Sequence, residues 1–486
     1  MPARLARLFA AILFLAGVAL PAHAETWRRA TAPGFVVYSQ GEPAELREDI
    51  ANLRRYDAVL HSEFSIPPGP QGAPLTIYLL ERPGDVAKML GRKGVAGYYA
   101  PRLEGSFIVA HREPPEKEGA LGWRETLFHE YAHHFMYRHV PAPWPSWYRE
   151  GVADYLSTVT FLDDGRWVVG RPALYRLGTA IKEPVPLLRL LENDDNALPE
   201  GRERWFYANA WLLVHLFRSD PYLERRLEGY LDALARGASE QVALLELGNI
   251  ADLQRRMSDH ARTAFADRIS SERLPAPAPA EVETLGPAAS RLVGLRLRWA
   301  TGVDRDSVLA DLTRLAADYP DDAQVAYQLA VALSQAMSDR AEPQADRVLT
   351  LAPDMPRALV MKGELARRRD APEAEVNAWL SKAARLAPDD PLVQLAWFQA
   401  RAKAGKAETR IAFADIEHIY RMATEIPKVR LTYALALATI GRVDEAEAVL
   451  VRLAAEPEGG GRAKAALARF RKIRALKERT RGAANE

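Results

Sequence analysis

His129, Glu130 and His133 stand in an H-E-x-x-H arrangement inside the apolar, helix-compatible run Leu127–Phe135. A helix turns about 100° per residue, so side chains four apart leave from one face and both imidazoles can reach a single metal ion. Paired imidazoles suit zinc. The neighbouring Glu130 need not ligate and is suited to take a proton from water whose pKa the ion has lowered. Two histidines leave a tetrahedral site one protein ligand short, and two downstream residues offer to close it. His139 lies ten positions after His129, the spacing of the long three-histidine motif, but that motif needs a glycine turn where this chain has Met136. In an unbroken helix His139 lies about 240° round the axis from His133 and faces away. Glu150 belongs to a second helical stretch, Pro145–Tyr155, which begins after the breaker run Val140–Pro143 and would return antiparallel to the first.

His129, Glu130, His133 and Glu150 together resemble the gluzincin metallopeptidases, in which two helices supply H-E-x-x-H and then a glutamate ligand. H-E-x-x-H alone also arises on ordinary salt-bridged helices, whereas the E-x-x-x-D pattern after a helix break is more specific. The resemblance spans roughly residues 35–218 and implies that Asp154, one turn past Glu150, holds a ligand imidazole in its tautomer and orientation. Related domains carry a tyrosine-led helix after the glutamate. The apolar run Trp205–Phe217 places Tyr207, Trp211 and His215 on one line, which makes Tyr207 the first oxyanion donor to consider and His215 the second. His134, about 100° round from His133, reads as a packed helix residue.

Around this core the chain alternates. Phe35–Ser39 and Leu75–Leu80 read as strands, 44–64 as an amphipathic helix and 84–90 as a short one. Gly97–Ala100 and Ser106–His111 form a hairpin, and Phe161–Val169 forms another about an Asp-Gly turn. The resemblance implies a sheet whose edge strand overlies the cleft and pairs with an extended peptide, a role that falls to Ser106–Ala110.

Residues 1–24 carry Arg4 and Arg7, an apolar run Leu8–Leu20 and a Pro21–Ala24 cleavage pattern, which predicts a secretory signal peptide, a mature start at Glu25 and a periplasmic or secreted location. No later stretch is long and apolar enough to predict a membrane span. The chain has no cysteine, so any metal must be held by nitrogen and oxygen. Lys plus Arg number 65 against 64 Asp plus Glu, which gives no electrostatic support for a nucleic-acid partner.

Residues 25–273 form the predicted zinc domain, and the proline-rich stretch opening 274–287 reads as an extended linker. From 288 to 486 strand signals vanish. Tyr319-Pro320-Asp321, Ala352-Pro353-Asp354 and Ala387-Pro388-Asp389 recur with prolines 33 and 35 residues apart, and they resemble tetratricopeptide repeat ends, which implies a solenoid with a concave surface. Gly441–Leu450 reads as a further second helix, 282–318 and 403–416 fit less well, and the basic run Arg462–Arg481 reads as a capping helix or a frayed tail, the solvated tail being preferred because a charge run is usually that. The expected fold is therefore α+β, a small mixed sheet with helices, followed by an all-α solenoid. The expected function is an exported zinc metallopeptidase acting on a peptide or protein, with a protein partner on the repeats. The alternative is a degenerate zinc domain within an envelope scaffold whose repeats do the work, and a hydrolase of cell-wall amides would use the same chemistry.

Overall fold

A computed structural model describes residues 26–69, 72–117, 119–192, 203–263, 265–403, 410–456 and 459–483; the signal peptide expected over residues 1–24 lies outside them. The first part of the chain runs β1 (Arg28–Ala32), β2 (Phe35–Ser39), α1 (Pro43–Glu63), β3 (Leu75–Leu80), α2 (Pro83–Leu90), β4 (Gly97–Ala100), β5 (Phe107–His111), α3 (Trp123–His139) and α4 (Ser146–Ser157). There follow β6 (Thr160–Phe161), β7 (Trp167–Val169), α5 (Leu174–Lys182), α6 (Leu187–Leu191), α7 (Glu203–Ser219), α8 (Pro221–Ala235), α9 (Glu240–Leu244), α10 (Ile250–His260), β8 (Arg268–Ile269) and β9 (Val282–Thr284).

The main sheet is mixed, in the order β4-β5-β3-β2-β1-β9, with β2, β3 and β5 parallel and the outer pairs antiparallel. Its central strands are apolar on both sides because both faces are covered. On one face Val37, Ile77, Leu79 and Ile108 join Leu53 and Tyr56 of α1 and Phe128, Ala132 and Phe135 of α3 in the large core. Each fully buried Phe or Leu there is worth about 1.5–3 kcal/mol of transfer free energy. On the other face Trp27, Leu80, Phe107 and Val109 meet Val86 of α2, and Val293 and Leu297 from the first helix of the repeats.

The proline-rich stretch is pinned. Arg54 donates to Ala278 O at 2.8 Å, and three residues of the expected linker form β9 on the sheet edge. The repeats follow as paired helices: α11 (Pro287–Thr301) with α12 (Arg305–Asp318), α13 (Ala323–Gln335) with α14 (Ala341–Leu351), α15 (Pro356–Arg368) with α16 (Glu373–Leu386), α17 (Pro391–Lys403) with α18 (Arg410–Met422), and α19 (Pro427–Thr439) with α20 (Val443–Ala454). First helices begin at 323, 356, 391 and 427, a period of 33 to 36 residues. The basic C-terminal run is a helix, α21 (Gly460–Ala483), rather than a tail, because Ala463, Leu467 and Phe470 give its first half an apolar face against the last repeat. Among the described residues no helix is long and apolar enough to cross a membrane.

Candidate metal centre

Helix α3 carries Glu125 in its first turn and Arg138 in its last, charges that suit the helix dipole. It stops at Val140, where Pro141 and Pro143 remove the donors a further turn would need. The chain turns over six residues into α4, whose N-cap is Pro145, and the two helices pack side by side. This return brings Glu150 to the histidines.

His129 Nε2 and His133 Nε2 lie 3.1 Å apart, and Glu150 Oε2 lies 3.3 Å from each. Zinc bound tetrahedrally at its usual 2.0–2.1 Å requires donors about 3.3–3.4 Å apart, so this nearly equilateral triangle fits the ion. Charge agrees with geometry. In the metal-free chain burial opposes a charge on His129, yet the field and hydrogen bond of Asp154, with Glu150 and Glu130, hold its pKa up to about 10. Burial likewise opposes ionisation of Glu150, but the two imidazoles keep it well below the usual carboxylate range. This donor set could hold a cation, and a metal bound there would displace the imidazole proton. Among the described residues these three form the one such donor cluster, and their side chains keep 11–16% exposure, so they are not sealed from solvent.

Asp154 is 1% exposed, and its Oδ1 accepts from His129 Nδ1 at 3.0 Å, which leaves the lone pair of Nε2 turned to the common point. Arg176 of α5, which carried no signal in the sequence, clamps that carboxylate through Nε to Oδ2 at 2.8 Å and Nη2 to Oδ1 at 3.1 Å. Burial would raise the Asp154 pKa, but Arg176 and then His129 hold it down. The guanidinium lies 5.0 Å from the ring centre of Tyr207 and 5.1 Å from that of Tyr175. Tyr207 in turn sets its ring edge-on to His129 at 6.3 Å, beside the metal site. The Glu150 charge, then burial, pushes the Tyr207 phenol up, so it stays a protonated donor. His133 has no such carboxylate on Nδ1; its ring stacks on Tyr137 at 6.4 Å.

Glu130 borders the strand edge. Burial raises its pKa, partly offset by the two imidazoles and by the backbone N–H of Tyr99, which donates to it. Strand β4 comes this close because Gly97 has no side chain: a methyl there would lie 2.7 Å from Thr126 Cγ2 and 2.9 Å from Glu130 Cγ. The edge strand is thus β4, not Ser106–Ala110. Both flanks of β5 are taken, by β3 and by β4, so its main chain has no ladder left to offer.

The remaining predicted residues lie elsewhere. His139 packs on Phe135 at 4.6 Å and on His61 at 5.2 Å, away from the ligands, and burial lowers its pKa to about 4. His134 is buried with its Nδ1 3.2 Å from Tyr99 Oη. His215 bonds His260 and Gly170 O, each at 2.9 Å, inside the core and is not an oxyanion donor.

No family profile matches the chain, and no curated protein matches it. Solved structures similar to it are tetratricopeptide proteins. The pilF protein of Pseudomonas aeruginosa is 20% identical over 40% of this chain and 88% of its own, with a TM-score of 0.33. TTC0263, from Thermus thermophilus, is 18% identical over 38% and 98%, with a TM-score of 0.32. YrrB, described as having an unusual peptide-binding site, is 17% identical over 34% and 84%, with a TM-score of 0.28.

Proposed function

We propose that this chain is a zinc-dependent metallopeptidase of gluzincin type, exported by its N-terminal stretch, with His129, His133 and Glu150 holding the metal. The observation that carries the reading is the donor triangle with a half-buried carboxylate, Glu130, next to it at the edge of a sheet. Zinc bound there would lower the pKa of a water ligand and polarise a carbonyl.

The chain's own residues account for the rest. Glu130, with its pKa raised by burial, is placed to accept the proton of an attacking water and return it to a leaving amine. Tyr207, kept protonated, donates to the oxygen that gains charge during attack. The free side of β4 offers main-chain groups to an extended substrate, which favours a polypeptide over a small amide. Asp154 and Arg176 hold His129 in the tautomer that ligates.

Glu130→Gln removes no ligand and leaves an amide that cannot take a proton. The purified mature chain should keep one zinc by metal analysis while casein hydrolysis falls at least about 10²–10⁴-fold, the usual share of a general base. A variant as active as the parent overturns the mechanism.

A further inference from the structure

The repeats do not trail away from the metal domain; their far end returns to it. Successive first helices touch one another, α11 with α13, α13 with α15 and α15 with α17, as an inner concave row does. Into this inner side the metal domain inserts the turn of its β4–β5 hairpin. Arg357 of α15 donates to Glu104 O at 2.6 Å, and Leu103 packs against the cluster of Leu395, Phe398 and Tyr433.

Past that turn, one carboxylate binds two elements of the metal domain at once. Glu425, between α18 and α19, accepts from Arg138 Nη1 of α3 at 2.7 Å on one oxygen and from Ser106 Oγ, at the start of β5, at 3.4 Å on the other. Arg138 also donates to Met422 O at 3.0 Å. The side chains of Glu425 and Arg138 keep 1% and 9% exposure. Arg149, the neighbour of ligand Glu150, donates to Ala455 O at 2.8 Å. The distal repeats therefore hold α3 with its two histidines, α4 with its glutamate, and the hairpin whose strand β4 donates to Glu130.

A buried ion pair stabilises little compared with apolar packing of the same volume, but it fixes direction and register where apolar contacts do not. We infer that Glu425 is a positioning residue for the metal site, tying α3 to the β4–β5 hairpin so that the ligands and the strand edge keep one geometry. This rests on the zinc reading above. The concave side of the solenoid accordingly takes a segment of its own chain as its occupant.

The test uses the full mature chain and zinc alone. Glu425→Gln removes the charge but keeps the shape, and Arg138→Gln with Glu425→Gln removes both charges, so neither leaves a large cavity. Lys362→Gln is the control: Lys362 is 8% exposed, close to Arg138, pairs with Glu342 at 2.9 Å and lies within the repeats. Zinc affinity is read by competition with a chelator, and amide exchange is read at Tyr99. The Glu425 variants should bind zinc about tenfold more weakly, the lower end of the range for groups that orient ligands, with faster exchange at Tyr99. Lys362→Gln should lower the unfolding temperature and leave both unchanged. Glu425 variants with the parent's zinc affinity and Tyr99 protection overturn the inference. If the parent itself binds no zinc the metal reading fails, and the Tyr99 arm still decides whether Glu425 positions β4. Should the Glu425 variants not fold, Arg357→Ala, on a one-third exposed side chain, must shift both readouts in the same direction, and no shift overturns the inference.

Discussion

At the scale of the residue the centre is built from unequal histidines. His129 is fixed by Asp154, itself fixed by Arg176, whereas His133 relies on stacking and on its place in α3. The third ligand decides between two folds, because a three-histidine site through His139 needs a turn that α3 does not make. Zinc titration should therefore separate four variants. Glu150→Ala is expected to lose most affinity, Asp154→Ala about 10–100-fold, and Arg176→Gln less, since Asp154 keeps His129 as a partner. His139→Ala should bind as the parent does. Metal lost from His139→Ala but kept by Glu150→Ala would reverse the ligand set.

At the scale of the element, the placing of α4 depends on α7. Gly151, next to Glu150, faces Ala210 and Val214 so closely that a methyl would lie 2.5 Å from Ala210 O and 2.6 Å from Val214 Cγ2. The carbonyl cannot step aside, so Gly151→Ala must push the helices apart, at a cost of about 1–3 kcal/mol for overpacking. Because Glu150 moves with the helix, zinc affinity should fall as well; a variant with both properties unchanged would show that α4 is not seated by α7. The helices α3 and α4 that bring His129, His133 and Glu150 together were legible in the sequence because helical spacing, a proline break and a charged pattern all lie between His129 and Asp154. Gly97, Gly151 and Arg176 were not legible, since each acts on an element distant in sequence and carries no local periodicity. The edge strand was misplaced for the same reason: a hairpin pattern does not reveal which of its strands pairs again, and the parallel pairing of β3 with β5 is a long-range event. The extended linker hid β9, because three residues give no alternation to read.

At the scale of the molecule, the N-terminal α+β part and the repeats share a sheet face at one end and the Glu425 contacts at the other, so acid that loosens one part should reach the whole. Five histidines outside the donor triangle have their pKa lowered by burial: His139 and His260, each to about 4, with His111, His134 and His215 shifted the same way. In the unfolded chain they titrate near 6.5. Between pH 6.5 and 4 the unfolded state thus binds more protons, and stability is full above 6.5 and lost as pH falls toward 4. Asp49 opposes this. Burial, outweighing Arg112, raises it to about 6, so its contribution is full below the unfolded value near 3.8 and lost as pH rises through 6. Asp57, Glu130 and Glu456 are raised by burial in the same sense as Asp49, but five histidines against these four carboxylates leave acid destabilisation dominant, with His139 and His260 together worth about 2–3 kcal/mol after discounting for their partial exposure. Thermal unfolding of the metal-free chain should accordingly shift to lower temperature from pH 7 to pH 5, and His260→Gln, whose side chain cannot charge, should flatten that slope. A midpoint that stays level or rises at pH 5 would mean that these imidazoles find partners for their charge in the folded chain.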